Sequence, residues 1–418
     1  MNFIETLQWR GLLQDVSDMD GIQKLGATDS FYVGLDPSAP SLQIGNLVPL
    51  IVAAHLGRAG LKPIILFGGS TGSIGDPSGK RAERPLLDRA TIDDNVRRHS
   101  AKVAEIYERL NIKADFVNNY DWTASVSIID FLREVGKHFT LSYMLSKEFV
   151  KTRVEEDSIS YTEFSYMLLQ SFDFLHLYQH KDCKLQIGGS DQWGNITSGL
   201  ELIRKKIGGS AYAFSIPLIL DSQGRKFGKS EGSAVYLDGT MTSPYKFHQF
   251  WLNLEDASVI KYLKIFSFLE KAEIDELEKK VQSAPEKREA QQTLADLMTT
   301  LVHGEAGTRE AKQSAEVLFG GSIAGLSEQQ LENIFNGVPS TTIERAKLAT
   351  MSMADIMAET KLASSKGEAR RLITSGGAYL NNERVSDPAL ALAQSAAAKS
   401  NIFVLRSGKK NYHLVKIS

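Results

Sequence analysis

The chain has almost no cysteine and no long apolar run. Cys183 is the single cysteine among 418 residues, which excludes a disulfide framework within the chain and favours a reducing compartment. No apolar stretch is long enough to span a bilayer, and residues 1–20 lack the basic and apolar segments of a signal peptide. We therefore expect a cytoplasmic protein that has no membrane partner.

Strong net charge is also absent. The formal net charge is −2, which argues against a uniformly basic nucleic-acid binder. Residues 361–418, however, contain ten Lys or Arg and three Asp or Glu, so this segment is +7 and the rest of the chain is −9. The asymmetry indicates a basic C-terminal unit that meets a phosphate backbone, although a solvated charged surface would give the same pattern.

Short apolar strands alternate with helical stretches between residues 30 and 220. The pattern predicts strands at 31–34, 63–67, 184–187 and 214–220, and helices at 45–59, 91–110 and 192–206. Ser190 or Asp191 is expected to cap the last of these helices. This alternation predicts an α/β fold in which a Rossmann-like parallel sheet is covered by helices and binds ligands at the carboxyl ends of its strands.

The pattern changes after residue 220. Helices alone are predicted at 244–253, 259–269, 271–282, 285–303 and 307–318. We therefore expect four segments: a Rossmann-like domain at 1–220 with a connective insertion near 120–160, a loop and helical domain at 221–320, a linker at 321–350, and a small α+β unit at 351–418.

A glycine-containing loop with two lysines follows the strand predicted at 214–220. Its sequence, Lys226-Phe227-Gly228-Lys229-Ser230, can clamp a polyanion. It is not a P-loop, because the preceding glycine is one position too late and no helix is predicted to follow. The glycines of residues 69–75 also lack the dinucleotide-binding spacing. A solvated turn with two ordinary lysines is the remaining alternative.

Two strand-to-helix corners could complete a nucleotide site. Residues 32–46 predict a strand, a proline-bearing turn and a helix N-terminus at Gly45, where a phosphate could approach the backbone. Residues 185–195 predict a strand that ends in Gly188-Gly189 and is followed by Asp191, an acid able to hold ribose hydroxyls. Ordinary structural corners are the alternative at both places.

A buried helix predicted at 164–180 carries polar side chains on one face. Tyr166, Gln170 and Asp173 are spaced i, i+4 and i+7, which places them on the same side of the helix. Buried polar groups need partners, so this face indicates either a polar ligand or an internal hydrogen-bond network.

Together these segments resemble the motifs of bacterial-type tyrosyl-tRNA synthetases, class I enzymes whose KMSKS loop matches residues 226–230. The matching segments are 32–37, 75–80, 118–122, 163–170 and 188–195, in the same order. The resemblance implies a ligase that activates L-tyrosine with ATP and transfers it to the 3′-terminal adenosine of tRNA(Tyr). It also implies a homodimer, Mg²⁺ bound with the ATP, and no structural metal held by the protein.

The resemblance implies roles for individual residues. The catalytic residues would be Lys226, Lys229, Ser230, Gln43 and Asn46. The tyrosine-binding residues would be Tyr32, Asp76, Asn119, Tyr166, Gln170, Asp173 and Gln192. The ATP-binding residues would be Gly34, Asp36, Ser38, Gly45, Gly189, Asp191 and Lys229. The RNA-binding residues would be Lys80 and Arg84 near the acceptor end, and Lys366, Arg370 and Arg371 in a segment that resembles the S4 RNA-binding domain.

The sequence departs from the family signature at two positions. Gln43 and Asn46 occupy places where the family has histidines, although both amides can still donate hydrogen bonds to phosphate oxygens. A non-catalytic relative that binds structured RNA is therefore a second interpretation. The polar face of the helix at 164–180 argues for the enzyme, because that face has no use in a protein that only binds RNA.

Overall fold

Five parallel strands form the central sheet of the first part of the chain. They are β1 (Ser30–Leu35), β2 (Lys62–Phe67), β3 (Asp115–Asn118), β4 (Cys183–Gly189) and β5 (Tyr212–Ile216), in the spatial order β3-β2-β1-β4-β5. Helices cover both faces, so the inner strands are almost continuously buried and apolar. The strand order reverses between β1 and β4, where a sheet of this type opens a crevice for ligands. The predicted α/β fold is confirmed.

The structure is a computed structural model that describes residues 2–78, 86–156, 158–230, 233–335, 337–395, 400–409 and 411–418. It divides into two units. The N-terminal unit comprises Met1–Thr242 and Phe247–Gly304, and the C-terminal unit comprises Ser243–Lys246 and Glu305–Ser418. The division into four segments that the sequence suggests remains a prediction.

Helices make up most of the remaining structure before residue 319. Those around the sheet are α1 (Phe3–Arg10), α2 (Met19–Gln23), α3 (Leu47–Arg58), α4 (Thr71–Ile74), α5 (Arg89–Arg109), α6 (Tyr120–Thr123), α7 (Ile128–Glu134), α8 (Leu141–Leu145), α9 (Glu148–Glu156), α10 (Tyr161–Lys181) and α11 (Trp193–Ile207). The later ones are α12 (Pro244–Leu252), α13 (Asp256–Phe266), α14 (Lys271–Ser283) and α15 (Glu289–Leu318), the last of which consists of two helices separated by a kink at Gly304. Between the two groups lie the short paired strands β6 (Lys229–Ser230) and β7 (Ser233–Ala234).

Two predictions for this part of the chain, a strand end and a helix cap, are wrong. Strand β5 ends at Ile216 rather than at residue 220, because Pro217 has no backbone N–H to continue the ladder. Helix α11 has Gln192 as its N-cap, so neither Ser190 nor Asp191 caps it. Both of those residues lie instead in a short 3-10 turn that joins β4 to the helix.

A mixed five-stranded sheet forms the core of the C-terminal unit. Its strands are β8 (Ser340–Ile343), β9 (Ala378–Leu380), β10 (Glu383–Arg384), β11 (Ile402–Ser407) and β12 (Asn411–Ile417), in the order β10-β9-β11-β12-β8. The helices of this unit after residue 318 are α16 (Glu328–Ile334), α17 (Arg345–Leu348), α18 (Met353–Glu359) and α19 (Lys366–Thr374).

The segment 321–350, expected as a linker, carries regular structure. It contains α16 and α17, and its strand β8 pairs in parallel with β12 at the edge of the sheet. Only one of the four β8 residues is buried, so the strand leaves little hydrophobic pattern in the sequence. Within the described ranges, no helix has both the length and the apolar character needed to cross a membrane.

Candidate active site

Two adjoining cavities open at the carboxyl ends of β1 and β4. The larger cavity has a volume of about 470 Å³ and the smaller cavity about 230 Å³. Both are lined by Asp36, Ser38, Asn46, Pro49, Asp76, Gly189 and Gln192. The shared lining means that two ligands, one in each cavity, would touch at this boundary.

The inner end of the smaller cavity carries a hydroxyl and a carboxylate. Tyr32 is buried, and its hydroxyl has no hydrogen-bond partner in the part of the chain that the structure describes. Asp173 accepts hydrogen bonds of 2.9 Å from Asn119 Nδ2 and from Trp122 Nε1. A buried hydroxyl without a partner is unfavourable, so this end favours a ligand that supplies a polar group of its own.

The boundary between the two cavities is acidic. Asp36 accepts hydrogen bonds of 2.7 Å from the Tyr166 hydroxyl and from Thr71 Oγ1. Asp76 accepts hydrogen bonds from Gln192 Nε2 and from the backbone N–H of Ser78. Three carboxylates around one small cavity, counting Asp173 at its inner end, make it a site for a cationic group.

Burial changes the ionisation of two of these carboxyls. It raises the pKa of Asp76 to about 6 and that of Asp173 to about 7, and the nearby carboxylate of Asp36 adds to both shifts. A cation bound between them would favour the ionised forms and lower these pKa values again.

The larger cavity offers groups that suit phosphates and a ribose. Its lining includes Gln43, Gly45, Asp191 and Lys226. Lys226 is half-exposed, and its Nζ lies 3.7 Å from the Asp191 carboxylate. Asn46 Oδ1 accepts a 2.8 Å hydrogen bond from the backbone N–H of Gln43, which leaves the Asn46 amide NH₂ as a donor.

The backbone of the lysine loop packs directly on the turn that contains Gln43. Gly228 has φ +93°, and a Cβ at this position would lie 2.2 Å from Ile44 Cγ2. The backbone N–H of Val235 donates to Gly228 O at 3.0 Å, and that of Ile44 donates to Val235 O at 2.9 Å. Glycine is therefore required at position 228 both for its positive φ and for this close approach.

An aromatic cluster anchors the same loop. The ring centroid of Phe227 lies between 4.4 and 5.7 Å from those of four rings in α12 and α13, namely Phe250, Trp251, Tyr262 and Phe266. This packing fixes the loop backbone beside the larger cavity. The side chains of Lys229 and Ser230 lie outside the described residues.

Comparisons with known proteins agree with this geometry. A family model described as "tRNA synthetases class I (W and Y)" matches residues 26–320, and a second, "Tyrosine--tRNA ligase SYY-like C-terminal domain", matches residues 330–415. The chain is 47% identical over 421 residues to the tyrosine--tRNA ligase of Roseiflexus castenholzii, covering 99% of each chain. The chain belongs to the tyrosyl-tRNA synthetase family. Tyrosine--tRNA ligase 1 of Bacillus subtilis is 46% identical over 420 residues, again covering 99% of each.

Solved structures of tyrosyl-tRNA synthetases share the fold. A truncated mitochondrial tyrosyl-tRNA synthetase from Aspergillus nidulans superposes with a TM-score of 0.69 at 28% identity, covering 76% of this chain and 94% of that one. The enzyme from Archaeoglobus fulgidus, solved with L-tyrosine, gives a TM-score of 0.56 at 15% identity, covering 74% of this chain and 99% of that one. At that identity the second likeness concerns the fold alone.

The residues that the family resemblance assigns to tyrosine lie together, with one exception. The smaller cavity is lined by Tyr32, Asp76, Tyr166, Gln170, Asp173 and Gln192. Asn119 is fully buried behind this lining, where it holds Asp173. Among the residues assigned to ATP, Gly45 and Asp191 line the larger cavity and Gly34 lines the smaller one. Three more line both cavities, namely Asp36, Ser38 and Gly189. Their roles in binding remain predictions.

The residues assigned to RNA are only partly described. Lys80 and Arg84 lie outside the described residues. Helix α19 carries Lys366, Arg370 and Arg371, as the sequence predicted, and Lys366 Nζ lies 2.6 Å from the carboxylate of Asp355. The charge of Lys366 is therefore shared with an acidic neighbour, which leaves the two arginines as the stronger candidates for phosphate contacts.

Sequence reasoning missed several residues that shape the smaller cavity. Thr71 holds Asp36, and Asn195 bonds both Asp76 and Ser78. Trp122 holds Asp173 from 51 positions away in the chain. Trp122 and Asn195 each end a segment that matches the family, which was a usable signal, whereas nothing in the pattern around Thr71 indicated its role.

Proposed function

We propose that the protein is a tyrosine--tRNA ligase. It activates L-tyrosine with ATP, forming tyrosyl-adenylate and pyrophosphate, and then transfers tyrosine to a hydroxyl of the 3′-terminal adenosine of tRNA(Tyr), releasing AMP. The observation that carries the proposal is the smaller cavity, which has a polar pair at its inner end and an acidic rim where it joins the larger cavity. The relatives that match over 99% of the chain support the same activity.

Tyrosine would occupy the smaller cavity with its ring inward. The phenolic hydroxyl meets the unpartnered hydroxyl of Tyr32 and the carboxylate of Asp173. The α-ammonium group lies among Asp76, Tyr166 and Gln170. Phenylalanine would leave the inner polar pair unsatisfied, and enzymes of this family are the standard example of such selection.

ATP would occupy the larger cavity. In the first step the tyrosine carboxylate attacks the α-phosphorus, the bond to the bridging oxygen breaks, and pyrophosphate leaves. The reaction needs no protein nucleophile, so the enzyme acts by positioning and by stabilising charge on the phosphates. Gln192 lies at the boundary where the carboxylate and phosphate meet, and Asp191 suits the ribose hydroxyls.

The leaving pyrophosphate needs positive charge and hydrogen-bond donors. Lys226, Lys229 and Ser230 supply them from the loop, and Gln43 and Asn46 supply them from the opposing turn. Mg²⁺ enters with ATP as part of the substrate and neutralises the phosphates. The described ranges hold no group of three or more His, Cys, Asp or Glu placed to bind a metal ion of their own.

A homodimer is part of the proposal. Helices α7 and α8 expose a cluster of apolar side chains, of which Ile128 is 74% exposed and Leu141 69% exposed, and which also includes Ile129, Leu132 and Leu145. Exposed apolar side chains concentrated in two neighbouring helices of the sequence are typical of a subunit interface. The tRNA would contact Lys80, Arg84 and helix α19, and the cytoplasm, where the partner tRNA is found, is the proposed location.

Tyrosine-dependent exchange of pyrophosphate into ATP tests the activity. The purified chain should catalyse the exchange with tyrosine and show none when tyrosine is omitted. A protein that only binds structured RNA would retain tRNA but show no exchange, so the assay separates the two interpretations.

A further inference from the structure

The turn between β1 and the larger cavity has few backbone hydrogen-bond donors. Residues 36–41 contain Pro37 and Pro40, which have no backbone N–H. Within the turn Ser38 N–H donates to Asp36 O at 2.9 Å, but the carbonyls of Pro37 and Ala39 need partners from elsewhere.

Helix α5 supplies both partners from one face. Asn95 Nδ2 donates to Pro37 O at 3.0 Å, and His99 Nε2 donates to Ala39 O at 2.9 Å. Asn95 is 3% exposed and His99 is 2% exposed. The two lie four residues apart in an otherwise apolar buried stripe of the helix that includes Ile92 and Val103. Polar side chains in such a stripe are costly unless they bond a specific partner.

The tautomer of the His99 ring follows from this contact. A carbonyl oxygen only accepts hydrogen bonds, so Nε2 carries the proton. Burial lowers the pKa of His99, which keeps the ring neutral at neutral pH. Its Nδ1 is buried and finds no hydrogen-bond partner among the residues that the structure describes, so the ring meets the turn through Nε2.

The turn held in this way belongs to the nucleotide side of the site. Ala39, Ser41 and His99 line the larger cavity only, whereas Ser38 lines both cavities, and the turn leads directly into Gln43. Asp36, the first residue of the turn, is fixed separately by Thr71 and Tyr166. Loosening the rest of the turn would therefore disturb the larger cavity more than the smaller one.

We propose that Asn95 and His99 are positioning residues that hold the 36–41 turn in the geometry needed to bind ATP. They act on the nucleotide half of the site through their hydrogen bonds to the turn, and Asn95 itself lines neither cavity. The inference rests on the proposed function of the site, and it assigns two residues of α5 to the nucleotide half of that site.

A pair of substitutions at one position tests the inference. His99→Phe keeps a ring and removes the donor, whereas His99→Gln keeps a donor of similar reach. Loss of one hydrogen bond of this kind corresponds to roughly a tenfold effect. In pyrophosphate exchange, His99→Phe should raise KM for ATP by about that factor and change KM for tyrosine less than about twofold, while His99→Gln restores most of the ATP affinity.

Asn95→Leu is the second variant, because it removes the other donor at nearly constant shape. It should show the same split between KM for ATP and KM for tyrosine. The matched control is Arg97→Ala, an exposed position on the same helix whose side chain pairs with Asp94. Its kinetics should equal those of the wild type.

Two kinds of result would overturn the inference. One is a fall in melting temperature in both donor-removing variants with unchanged KM values, which would mean that the bonds only stabilise the fold. The other is an equal rise in KM for both substrates. If the wild-type chain shows no tyrosine-dependent exchange at all, the proposed function fails instead, so the two failures are distinguishable.

Discussion

The Tyr166 hydroxyl donates a 2.7 Å hydrogen bond to the carboxylate of Asp36, and this bond joins the two cavities. Tyr166 lines the smaller cavity only, whereas Asp36 lines both. A side chain in the proposed tyrosine site is thus tied to the turn that enters the proposed ATP site. Because the acceptor is charged, the bond is of the stronger kind.

Tyr166→Phe should weaken tyrosine binding. The variant loses the hydroxyl that lies beside the α-ammonium group of tyrosine in the proposed site. Hydrogen bonds to charged groups contribute about 1.5–3 kcal/mol, so KM for tyrosine in pyrophosphate exchange should rise about 10- to 150-fold. Tyr161→Phe is the matched control, because Tyr161 is 75% exposed on the same helix. An unchanged KM in the Tyr166 variant would remove this residue from the tyrosine site.

Tyr32→Phe should reduce discrimination between tyrosine and phenylalanine. The variant loses the hydroxyl that meets the phenol, so kcat/KM should fall for tyrosine and rise for phenylalanine. Deleting an unpartnered buried hydroxyl should not lower the thermal stability of the free protein.

Tyr107→Phe is a control for the same experiment. The Tyr107 hydroxyl is buried too, but it donates to Leu50 O outside both cavities. This variant should lose stability and keep the ratio of kcat/KM for the two amino acids. If the ratio of kcat/KM for tyrosine and phenylalanine is the same in the wild type and in Tyr32→Phe, Tyr32 does not recognise the phenolic hydroxyl of the substrate.

Phe227→Ala should detach the lysine loop from its anchor. Deleting a large buried side chain typically costs about 3–5 kcal/mol, and here four neighbouring rings lose contact. Measured below the melting temperature, the maximal rate of exchange should fall while the equilibrium affinity for tyrosine stays near the wild-type value. Phe227→Leu keeps most of the side-chain volume, so its exchange rate should lie between those of the wild type and of Phe227→Ala. A normal rate in the alanine variant would contradict the anchoring role.

Tyrosine binding should weaken in acid. The pKa of Asp76 in the free protein is raised to about 6, and only the ionised carboxylate attracts the α-ammonium group. Below pH 6 affinity should therefore fall by up to about tenfold per pH unit. Isothermal titration between pH 5 and pH 8 measures this, and Asp76→Asn should bind more weakly with a flatter profile. A wild-type affinity that is constant across pH 6 would contradict the assignment.

The raised carboxyl pKa values affect the stability of the free protein in the opposite direction: acid favours the folded state, although it weakens tyrosine binding. A carboxyl whose folded pKa is raised takes up protons more readily when folded. Its contribution to the free energy of unfolding is therefore fully present below its unfolded pKa of about 4. That contribution is lost as the pH rises through about 6 for Asp76 and about 7 for Asp173. Added tyrosine should offset this loss, and thermal melts with and without tyrosine at pH 5 and pH 8 would show it.

Local patterns in the sequence predicted the elements that carry the site. The i, i+4, i+7 spacing of Tyr166, Gln170 and Asp173 follows from helix geometry, and all three line one cavity. The apolar runs of β1, β2 and β4 were equally readable, because strands buried on both faces leave continuous hydrophobic segments.

Contacts between distant positions could not be predicted in this way. Thr71 meets Asp36 across 35 positions, and Asn95 meets Pro37 across 58. A single polar residue has no period, so its partner depends on how whole elements pack. Strand β8 was not predicted for a related reason. It pairs with β12 at the edge of the sheet, and only one of its four residues is buried.

Tyrosine-dependent pyrophosphate exchange in the wild type and in Lys229→Ala tests the proposed activity most directly. We expect exchange that requires tyrosine in the wild type. We expect a much slower rate in the variant with nearly unchanged tyrosine binding, because the loop lysines stabilise charge on the leaving pyrophosphate. Wild-type protein that binds tyrosine and ATP but shows no exchange, or a variant as fast as the wild type, would contradict it.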